Sequence, residues 1–239
     1  MESIALVTGA DRGLGSALVT GLLERGWSVF AGQHRPEWPE LGNLAERFPN
    51  TLQIIPLEVT SLESVQAAAL SVSRVRDRLD LLVNNAGVGS PTSPRSIHEP
   101  QDYDEMHRMY DVNALGPLRM VEAFLPLTDR STLKRLCFVS SEAGSISRSM
   151  RTDTYGYCMS KAALNMAARI MFNDLQPKGY TFRVYHPGWI RSYFSGTKSM
   201  EADLEPEEAA LPALDYFIET RADEDQLVMR DWLGRDWPW

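Results

Sequence analysis

Thr8-Gly9-Ala10-Asp11-Arg12-Gly13-Leu14-Gly15, near the start of the chain, is the stretch of sequence that decides the fold. Residues 3–8 are mostly apolar and predict a short buried strand, whereas apolar residues recur at helical spacing after the glycines. Glycines at such a strand-to-helix turn permit a tight bend and bring the backbone close to a phosphate, which the helix N-terminus attracts. The stretch therefore predicts the phosphate-binding turn of a Rossmann-type domain.

Strand-like and helical patterns alternate outward from this turn along the rest of the chain. Predicted strands span residues 27–32, 52–57, 79–83, 133–139, 181–185 and, at an edge, 226–229; predicted helices span residues 14–25, 62–78, 101–127, 154–177 and 206–220. Repeated strand–helix–strand units imply right-handed crossovers. We therefore predict an α/β fold, a doubly wound parallel sheet flanked by helices. Residues 1–239 would form this single Rossmann-type domain, with ligands at the carboxyl ends of the strands.

The composition argues against several classes of function. The chain has 239 residues, a formal net charge of -8 and no basic cluster, so neither nucleic acid nor an anionic membrane is an expected partner. Its four histidines are scattered, so no metal site is predicted. Its two cysteines, Cys137 and Cys158, do not indicate a disulfide framework. With no leader or membrane-length apolar run in the sequence, we predict a cytoplasmic protein.

Tyr157 and Lys161 stand four residues apart in a predicted helix, so their side chains project from one face. A lysine charge beside a phenol favours the phenolate, and we expect it to lower the tyrosine pKa from about 10 toward neutrality. Such a tyrosine suits a proton donor to a developing alkoxide. An isolated pair of this kind is usually an exposed surface pair. Because it occurs here together with the glycine turn, it predicts nicotinamide-dependent carbonyl or alcohol chemistry.

Several motifs also occur in the order that is typical of the short-chain dehydrogenase/reductase superfamily, over nearly the whole length of the chain. Within that superfamily the sequence most resembles the small carbonyl-reductase-like members. The motifs that carry the resemblance are Thr8-Gly9…Gly13-Leu14-Gly15, Asn84-Asn85-Ala86-Gly87, Asn113, Ser140-Ser141, Tyr157…Lys161 and Pro187-Gly188…Ser192.

The resemblance implies four catalytic residues, Asn113, Ser141, Tyr157 and Lys161. Tyr157 is the general acid in reduction and the base in oxidation, and Lys161 lowers its pKa and bonds the nicotinamide ribose. Asn113 bends its helix and holds a proton-relaying water. The Ser141 hydroxyl polarises the carbonyl, whereas we expect Ser140 to be a packing or capping residue.

The resemblance also implies a nicotinamide cofactor, and the charges near the second predicted strand favour NADPH over NADH. No carboxylate follows that strand in Gln33-His34-Arg35, and Arg12 lies inside the glycine turn, although Asp11 beside it is a counter-argument. Glu58 replaces the family's usual aspartate near the adenine, so that contact is expected to be shifted or lost. The predicted cofactor-binding residues are Gly9, Arg12, Gly13, Leu14, Gly15, His34, Arg35, Glu58, Val59, Asn85, Ala86, Gly87, Tyr157, Lys161, Pro187, Gly188, Ile190 and Ser192.

The activity implied is reversible hydride transfer between NADPH and an aldehyde or ketone carbonyl, with a small carbonyl or alcohol as substrate. Two alternatives stay open: an NADP-binding sensor or scaffold without turnover, and an NAD-dependent alcohol dehydrogenase. The presence of all four catalytic residues together argues against the sensor. Related proteins often pair through the helices that correspond to residues 101–127 and 154–177, which implies a homodimer or homotetramer. Leu164, Met166 and Met171 fit either that surface or the core.

Three segments outside the motifs are candidates for contact with the substrate. Residues 190–206 are polar and contain glycine, so we predict a substrate loop that orders on binding. Residues 147–153, which include Arg148, Met150 and Arg151, lengthen the segment before Tyr157 and are placed to border the substrate. A tail rich in tryptophan, with Trp232, Trp237 and Trp239, would cover the pocket, enter a subunit interface or pack on the sheet edge.

Overall fold

Short apolar runs form buried strands, and helices cross between them, in a computed structural model that describes residues 2–92 and 94–239. The strands are β1 (Ile4–Val7), β2 (Ser28–Gln33), β3 (Leu52–Pro56), β4 (Leu81–Asn84), β5 (Arg135–Val139), β6 (Thr181–His186), β7 (Met229–Asp231) and β8 (Asp236–Trp237). The helices are α1 (Gly13–Glu24), α2 (Glu40–Arg47), α3 (Leu62–Ser73), α4 (Tyr103–Tyr110), α5 (Gly116–Thr128), α6 (Tyr155–Leu175) and α7 (Pro206–Ile218).

The eight strands form one sheet in the order β3-β2-β1-β4-β5-β6-β7-β8. All neighbouring pairs are parallel except the last, where β8 returns antiparallel to β7. The strand order reverses between β1 and β4, which is where a doubly wound sheet opens a crevice for ligands. The predicted fold class is therefore confirmed, with an antiparallel edge strand that the sequence analysis did not predict.

Apolar side chains fill both faces of the sheet. On one face, Phe124 and Phe138 centre a core beneath α3, α5 and α6 that also buries Leu164 and Met171. On the other face, a second core lies beneath α1 and α7. Met166 is 61% exposed, so of the three residues that fitted either core or surface, two belong to the core.

The prediction of one continuous α-helix over residues 101–127 is wrong, because the helix is interrupted in its middle. Residues Asp111–Leu115 form a π-helical segment between α4 and α5. One wide turn of this kind is most often found at functional sites. It carries the buried Asn113, whose side chain faces the protein interior.

Two arginines lie buried inside strands and hold α7 to the sheet. Arg135 donates to the main-chain oxygens of Phe217, Ile218 and Glu219, where α7 ends. Arg183 donates to the main-chain oxygens of Tyr216 and Glu219. Both guanidinium groups also pair with the carboxylate of Glu224. Positive charge at the C-terminal end of a helix is stabilising, so this network fixes α7 against β5 and β6.

Cys137 lies in β5, two residues after Arg135, and is paired with Arg183 of β6 in the register of the sheet. Its thiol is free and fully buried, and burial raises its pKa to about 12. The second cysteine, Cys158, is also free and only partly buried. Among the residues described, no helix combines the length and apolar character needed to cross a membrane.

Candidate active site

The glycine turn between β1 and α1 is shaped for close approach of an anion. Gly9 and Gly13 have φ values of +61° and +57°, in the left-handed region that favours glycine. An added Cβ at Gly15 would lie 2.1 Å from the main-chain oxygen of Gly9, so only glycine fits there. The first turn of α1, with Leu14, has no acidic residue, and its free amide groups suit a phosphate.

The loop after β4 is fastened to this turn. The Asn85 side-chain amide donates to the main-chain oxygens of Thr8 and Gly9 at 2.9 and 3.1 Å. The amides of Asn85 and Ala86 donate to the Thr8 hydroxyl at 3.0 and 2.9 Å. The crevice between β1 and β4 is thus rigid before any ligand arrives.

Most other predicted cofactor-binding residues follow strands at the same edge of the sheet. They are Val59 after β3, Gly87 after β4, and Pro187, Gly188, Ile190 and Ser192 after β6. A cavity of about 190 Å³ lies beside the glycine turn. Its walls include Arg12, Gly13, Ser16 and Ser192. The helix N-terminus and the cations Arg12, Arg191 and Lys198 suit the diphosphate of a dinucleotide, while Glu40, Glu205 and Glu207 line the cavity as well.

Charges near the end of β2 are arranged around Asp11, which is buried. Its carboxylate accepts from the amides of His34 and Arg35 at 2.9 and 2.7 Å, so it braces the backbone after β2. Glu58 is engaged as well: one oxygen lies 2.7 Å from His34 Nδ1, and the other accepts from the amide and hydroxyl of Thr60. Both of its oxygens thus have partners within the chain.

Tyr157 and Lys161 project from one face of α6, but their pKa values do not follow the expectation. Burial raises the pKa of Tyr157 to about 12, and the nearby Ser141 hydroxyl offsets only part of that rise. Lys161 is 3% exposed, and burial lowers its pKa to about 8. Its Nζ atom donates to the main-chain oxygen of Val139 at 2.9 Å and lies 5.9 Å from the centroid of the Tyr157 ring. The predicted lowering of the tyrosine pKa is therefore wrong: desolvation is the largest influence on the phenol, and the lysine amino group is directed to the Val139 oxygen.

The two serines after β5 have different partners. The Ser141 hydroxyl accepts from the amide of Ala143 at 3.1 Å and lies close enough to Tyr157 to lower the pKa of the phenol. Ser140 donates to Asn165 Oδ1 at 2.6 Å, and Asn165 in turn donates to the main-chain oxygen of Gly144. Ser141 thus faces the tyrosine, whereas Ser140 ties β5 to α6.

Asn113 joins the loop after β4 to α6. Its amide donates to the main-chain oxygen of Val88 at 2.9 Å and to the Ser160 hydroxyl at 3.0 Å, while its oxygen accepts from the Val88 amide at 2.8 Å. Ser160 lies between Tyr157 and Lys161 in the sequence and donates to the main-chain oxygen of Tyr157. Asn113 therefore fixes the helix that carries both residues.

The predicted substrate loop, residues 190–206, folds back over the glycine turn and Tyr157. Its two ends meet where Ile190 pairs with Leu204, beside Gly188, whose φ is +81°. Phe194 lies edge-on to Tyr157, with ring centroids 5.3 Å apart. Its main-chain oxygen accepts from the Gly89 amide at 3.2 Å. An aromatic side chain of the loop thus covers the predicted proton donor.

The tail packs on the edge of the sheet. Trp232 and Trp237 lie 5.2 and 5.5 Å from His186, the last residue of β6. The main-chain oxygens of Pro238 and Trp239 accept from the hydroxyls of Ser145 and Ser147. The tail thus anchors the start of the long segment before Tyr157. Met150 in that segment is 92% exposed.

Trp38, in the loop between β2 and α2, is a residue of this region that the sequence analysis missed. Its ring lies 4.3 Å from the Arg12 guanidinium and 4.9 Å from the ring of Tyr193. No periodic pattern links residues so far apart in the chain, so nothing in the sequence pointed to this contact. In residues 2–92 and 94–239 no group of three or more metal-ligating side chains is found.

Known proteins share both the sequence pattern and this architecture. A family profile described as short chain dehydrogenase matches residues 3–203. An uncharacterised oxidoreductase of Schizosaccharomyces pombe is 33% identical over 227 residues, covering 94% of this chain and 87% of that protein. The NADPH-bound carbonyl reductase from chicken fatty liver is 30% identical and covers both chains fully, with a TM-score of 0.86. A Burkholderia multivorans structure with bound NADP is 29% identical over both whole chains, with a TM-score of 0.87.

Proposed function

Since this chain belongs to the short-chain dehydrogenase family and is an oxidoreductase, we propose that it reduces aldehydes or ketones with NADPH and that Tyr157 is the proton donor. The observation that supports the proposal is that Ser141, which follows β5, lies close enough to Tyr157 to lower its pKa, at the carboxyl edge of the sheet that also holds the glycine turn after β1. The buried Lys161 lies one helical turn from the tyrosine. Hydroxyl donors beside a dinucleotide site suit protonation of a carbonyl oxygen.

Each of the four predicted catalytic residues has its own role in this proposal. A bound nicotinamide dinucleotide supplies the hydride in reduction and accepts it in oxidation. The Tyr157 hydroxyl donates its proton to the carbonyl oxygen as negative charge develops there. Ser141 donates a second hydrogen bond to the same oxygen, which stabilises the charge in a site that excludes water. Lys161 provides positive charge near the tyrosinate that remains, and Asn113 keeps α6 in position.

The raised pKa of Tyr157 favours the reductive direction. Burial keeps the hydroxyl protonated up to a pKa of about 12, so the acid form is present throughout the physiological range. Oxidation requires the tyrosinate, which becomes populated only at high pH. The acid that reduction requires is thus in place at neutral pH, and the same residues serve the reverse oxidation.

The preference for NADPH rests on Arg12 and Arg35. Partial burial and the nearby Arg35 both hold the pKa of the Arg12 guanidinium below its usual value. Among residues 2–92 and 94–239, the Arg12 guanidinium forms no salt bridge, whereas Arg35 pairs with Glu37 at 3.4 Å and Asp11 is engaged by backbone amides. A phosphate on the adenosine ribose would give the Arg12 guanidinium a directly bonded anionic partner. We assign the remaining predicted cofactor-binding residues and the substrate loop to the same proposal.

Initial-rate oxidation of NADPH and NADH with a panel of aldehydes, ketones and quinones tests the proposal. We expect turnover with NADPH to exceed that with NADH. Tyr157→Phe should lower turnover about 10²- to 10⁴-fold, the usual contribution of a positioned proton donor, with little change in NADPH affinity. Tyr155→Phe is the matched control, because it removes a hydroxyl two residues away on the same helix.

Three results would contradict the proposal in different ways. Tight NADPH binding without turnover across the panel would favour the sensor. Faster turnover with NADH would favour an NAD-dependent dehydrogenase. Equal rates for Tyr157→Phe and the unaltered protein would remove Tyr157 from the chemistry.

A further inference from the structure

Arg12 links two loops that are far apart in the sequence. Its guanidinium lies 4.3 Å from the centroid of the Trp38 ring and 5.4 Å from that of the Tyr193 ring. Its Nη2 atom also donates to the main-chain oxygen of Tyr193 at 3.3 Å. We call these three residues the Arg12 clamp. The clamp joins the loop after β2, on the adenosine side, to the substrate loop.

Arginine can stack and bind an anion at the same time. Its planar guanidinium stacks through its faces, whereas its N–H groups point outward in the plane and bind phosphate there. Arg12 uses one of its five donors on Tyr193, so others stay available. Partial burial and Arg35 hold the pKa of Arg12 below its usual value even with Asp11, Glu37 and Glu40 nearby, and its guanidinium forms no salt bridge among the residues described, so a phosphate can bind to it directly. A phosphate therefore fits the clamp without breaking it.

The residue after Tyr193 reaches the other end of the site. Phe194 covers Tyr157 at 5.3 Å between ring centroids, and its backbone is held by Gly89. An added Cβ at Gly89 would lie 2.7 Å from the Phe194 ring, so the loop sits tightly there. Two consecutive residues of the loop thus contact different parts of the site: Tyr193 contacts Arg12, and Phe194 contacts Tyr157.

We propose that Arg12, Trp38 and Tyr193 are positioning residues through which a phosphate on the adenosine ribose closes the substrate loop and sets Phe194 against Tyr157. The proposal rests on the proposed use of NADPH and extends it: the ribose phosphate, besides adding affinity, orders the loop over the reacting groups. Loss of the clamp should therefore lower kcat with NADPH toward its value with NADH while changing KM for NADPH less.

Two nucleotides that carry no nicotinamide test the coupling without any turnover. 2′,5′-ADP has the ribose phosphate, and 5′-AMP differs from it only in lacking that group. At equal fractional occupancy, set from calorimetric Kd values, each is added to the whole protein during limited digestion with trypsin. Cleavage after Lys198, an exposed residue of the substrate loop, is followed by mass spectrometry.

We expect 2′,5′-ADP to slow cleavage after Lys198 about fivefold or more, the lower end of typical coupling between two sites, and 5′-AMP to leave it unchanged. Tyr193→Leu should abolish the protection, whereas Tyr193→Phe, which keeps the ring and the backbone oxygen, should retain it. Trp38→Leu should weaken it. Cleavage after Arg130, in an exposed turn after α5, serves as the internal reference.

Other outcomes overturn the inference. Tight binding of 2′,5′-ADP with equal protection by both nucleotides, or with none, removes the clamp and leaves the NADPH preference standing. Faster cleavage with 2′,5′-ADP shows the opposite sign of coupling and also overturns it. If 2′,5′-ADP binds no better than 5′-AMP, both the clamp and the cofactor preference fail, while turnover by Tyr157 is still tested separately.

Discussion

At the scale of single residues, the candidate site is governed by exclusion of water. Lys161 and Tyr157 are neighbours on α6, yet burial moves the pKa of each away from its charged form, to about 8 and about 12. The lysine amino group turns to the oxygen of Val139 instead of the phenol. A charge placed four residues away by sequence thus has less influence on the tyrosine than the medium around it.

Ser140 and Ser141 allow a paired prediction. Ser141→Ala should lower kcat for carbonyl reduction about 10²- to 10³-fold, because it removes a hydrogen bond to the developing oxyanion. Ser140→Ala should instead lower the free energy of unfolding by about 1–3 kcal/mol, because Asn165 loses a buried partner. Initial rates and urea denaturation of both variants measure the two effects.

The matched pair makes the assignment testable in both directions. If Ser140→Ala loses activity while Ser141→Ala keeps it, the roles given to the two hydroxyls are reversed. If both lose only stability, neither serine contacts the substrate.

Sequence reasoning identified residues whose chemistry is local and missed those whose effect depends on packing. The choice of Ser141 over Ser140 agrees with its position beside Tyr157, although its catalytic role stays a prediction. The direction of the Tyr157 pKa was wrong because the sequence shows the lysine and does not show how far the fold shields the phenol from water. The contact of Trp38 with Arg12 depends on how two loops fold and has no local pattern.

At the scale of secondary-structure elements, the space around a glycine decides whether a larger residue can replace it. Gly15 in α1 lies against the oxygen of Gly9, whereas Gly42 in α2 is exposed, and an added Cβ there would meet nothing within 4 Å. The same substitution should therefore have opposite results in two helices on the same side of the site.

Gly15→Ala should abolish NADPH binding and lower the free energy of unfolding by several kcal/mol, because an added methyl group overlaps the backbone of the turn. Gly42→Ala should raise that free energy by about 0.5–1 kcal/mol, because alanine has the higher helix propensity. Chemical denaturation and calorimetric titration with NADPH measure both. Normal cofactor binding by Gly15→Ala would show that the turn is not the phosphate site.

The boundaries of secondary-structure elements were predicted well where an apolar run is bounded by turn residues. They were predicted poorly where the residues also fit another structure. The buried strands β1 to β6 were placed within about two residues, because each is a short apolar run bounded by turn residues. The sequence analysis missed α2, which is short, contains Gly42 and has only Leu41 and Leu44 buried. The π-helical segment was missed too, since the residues Asp111–Leu115 also fit an ordinary helix.

At the scale of the whole molecule, the C-terminal tail packs against the carboxyl end of β6. His186, 6% exposed, ends β6 and packs against Trp232 and Trp237 of the tail. Its Nδ1 atom has no hydrogen-bond partner within the residues described. Burial lowers the pKa of His186 to about 4, so the folded protein holds this ring neutral.

His186 should therefore contribute to the pH dependence of stability, beside carboxylates with lowered pKa values such as Asp231. Unfolded, His186 takes up a proton near pH 6.5, whereas in the folded protein it does so only near pH 4. Stability attributable to the neutral ring is present above pH 6.5 and is lost as the pH falls toward 4, by at most about 3 kcal/mol. Denaturation midpoints measured from pH 7 to pH 4.5 should fall less steeply for His186→Phe than for the unaltered protein.

His98→Gln is the control, because that histidine is exposed in the loop before α4. It should keep the slope of the unaltered protein. The same slope in His186→Phe would mean that the ring is protonated in the folded state, or that carboxylates such as Asp231, whose pKa is lowered by Arg235, carry the whole dependence.

Cys137 is fully buried beside Arg135 and Arg183, so chemical labelling of its thiol reports unfolding of the central sheet. Thiol reagents attack the thiolate, and the Cys137 pKa of about 12 together with full burial leaves almost none for reaction. Cys158 is partly buried and stays the accessible thiol of the folded protein. A second equivalent of an alkylating dye would thus be incorporated only when β5 separates from its neighbours. The rate at which Cys137 is labelled therefore measures how often the central sheet opens, and no engineered probe is needed.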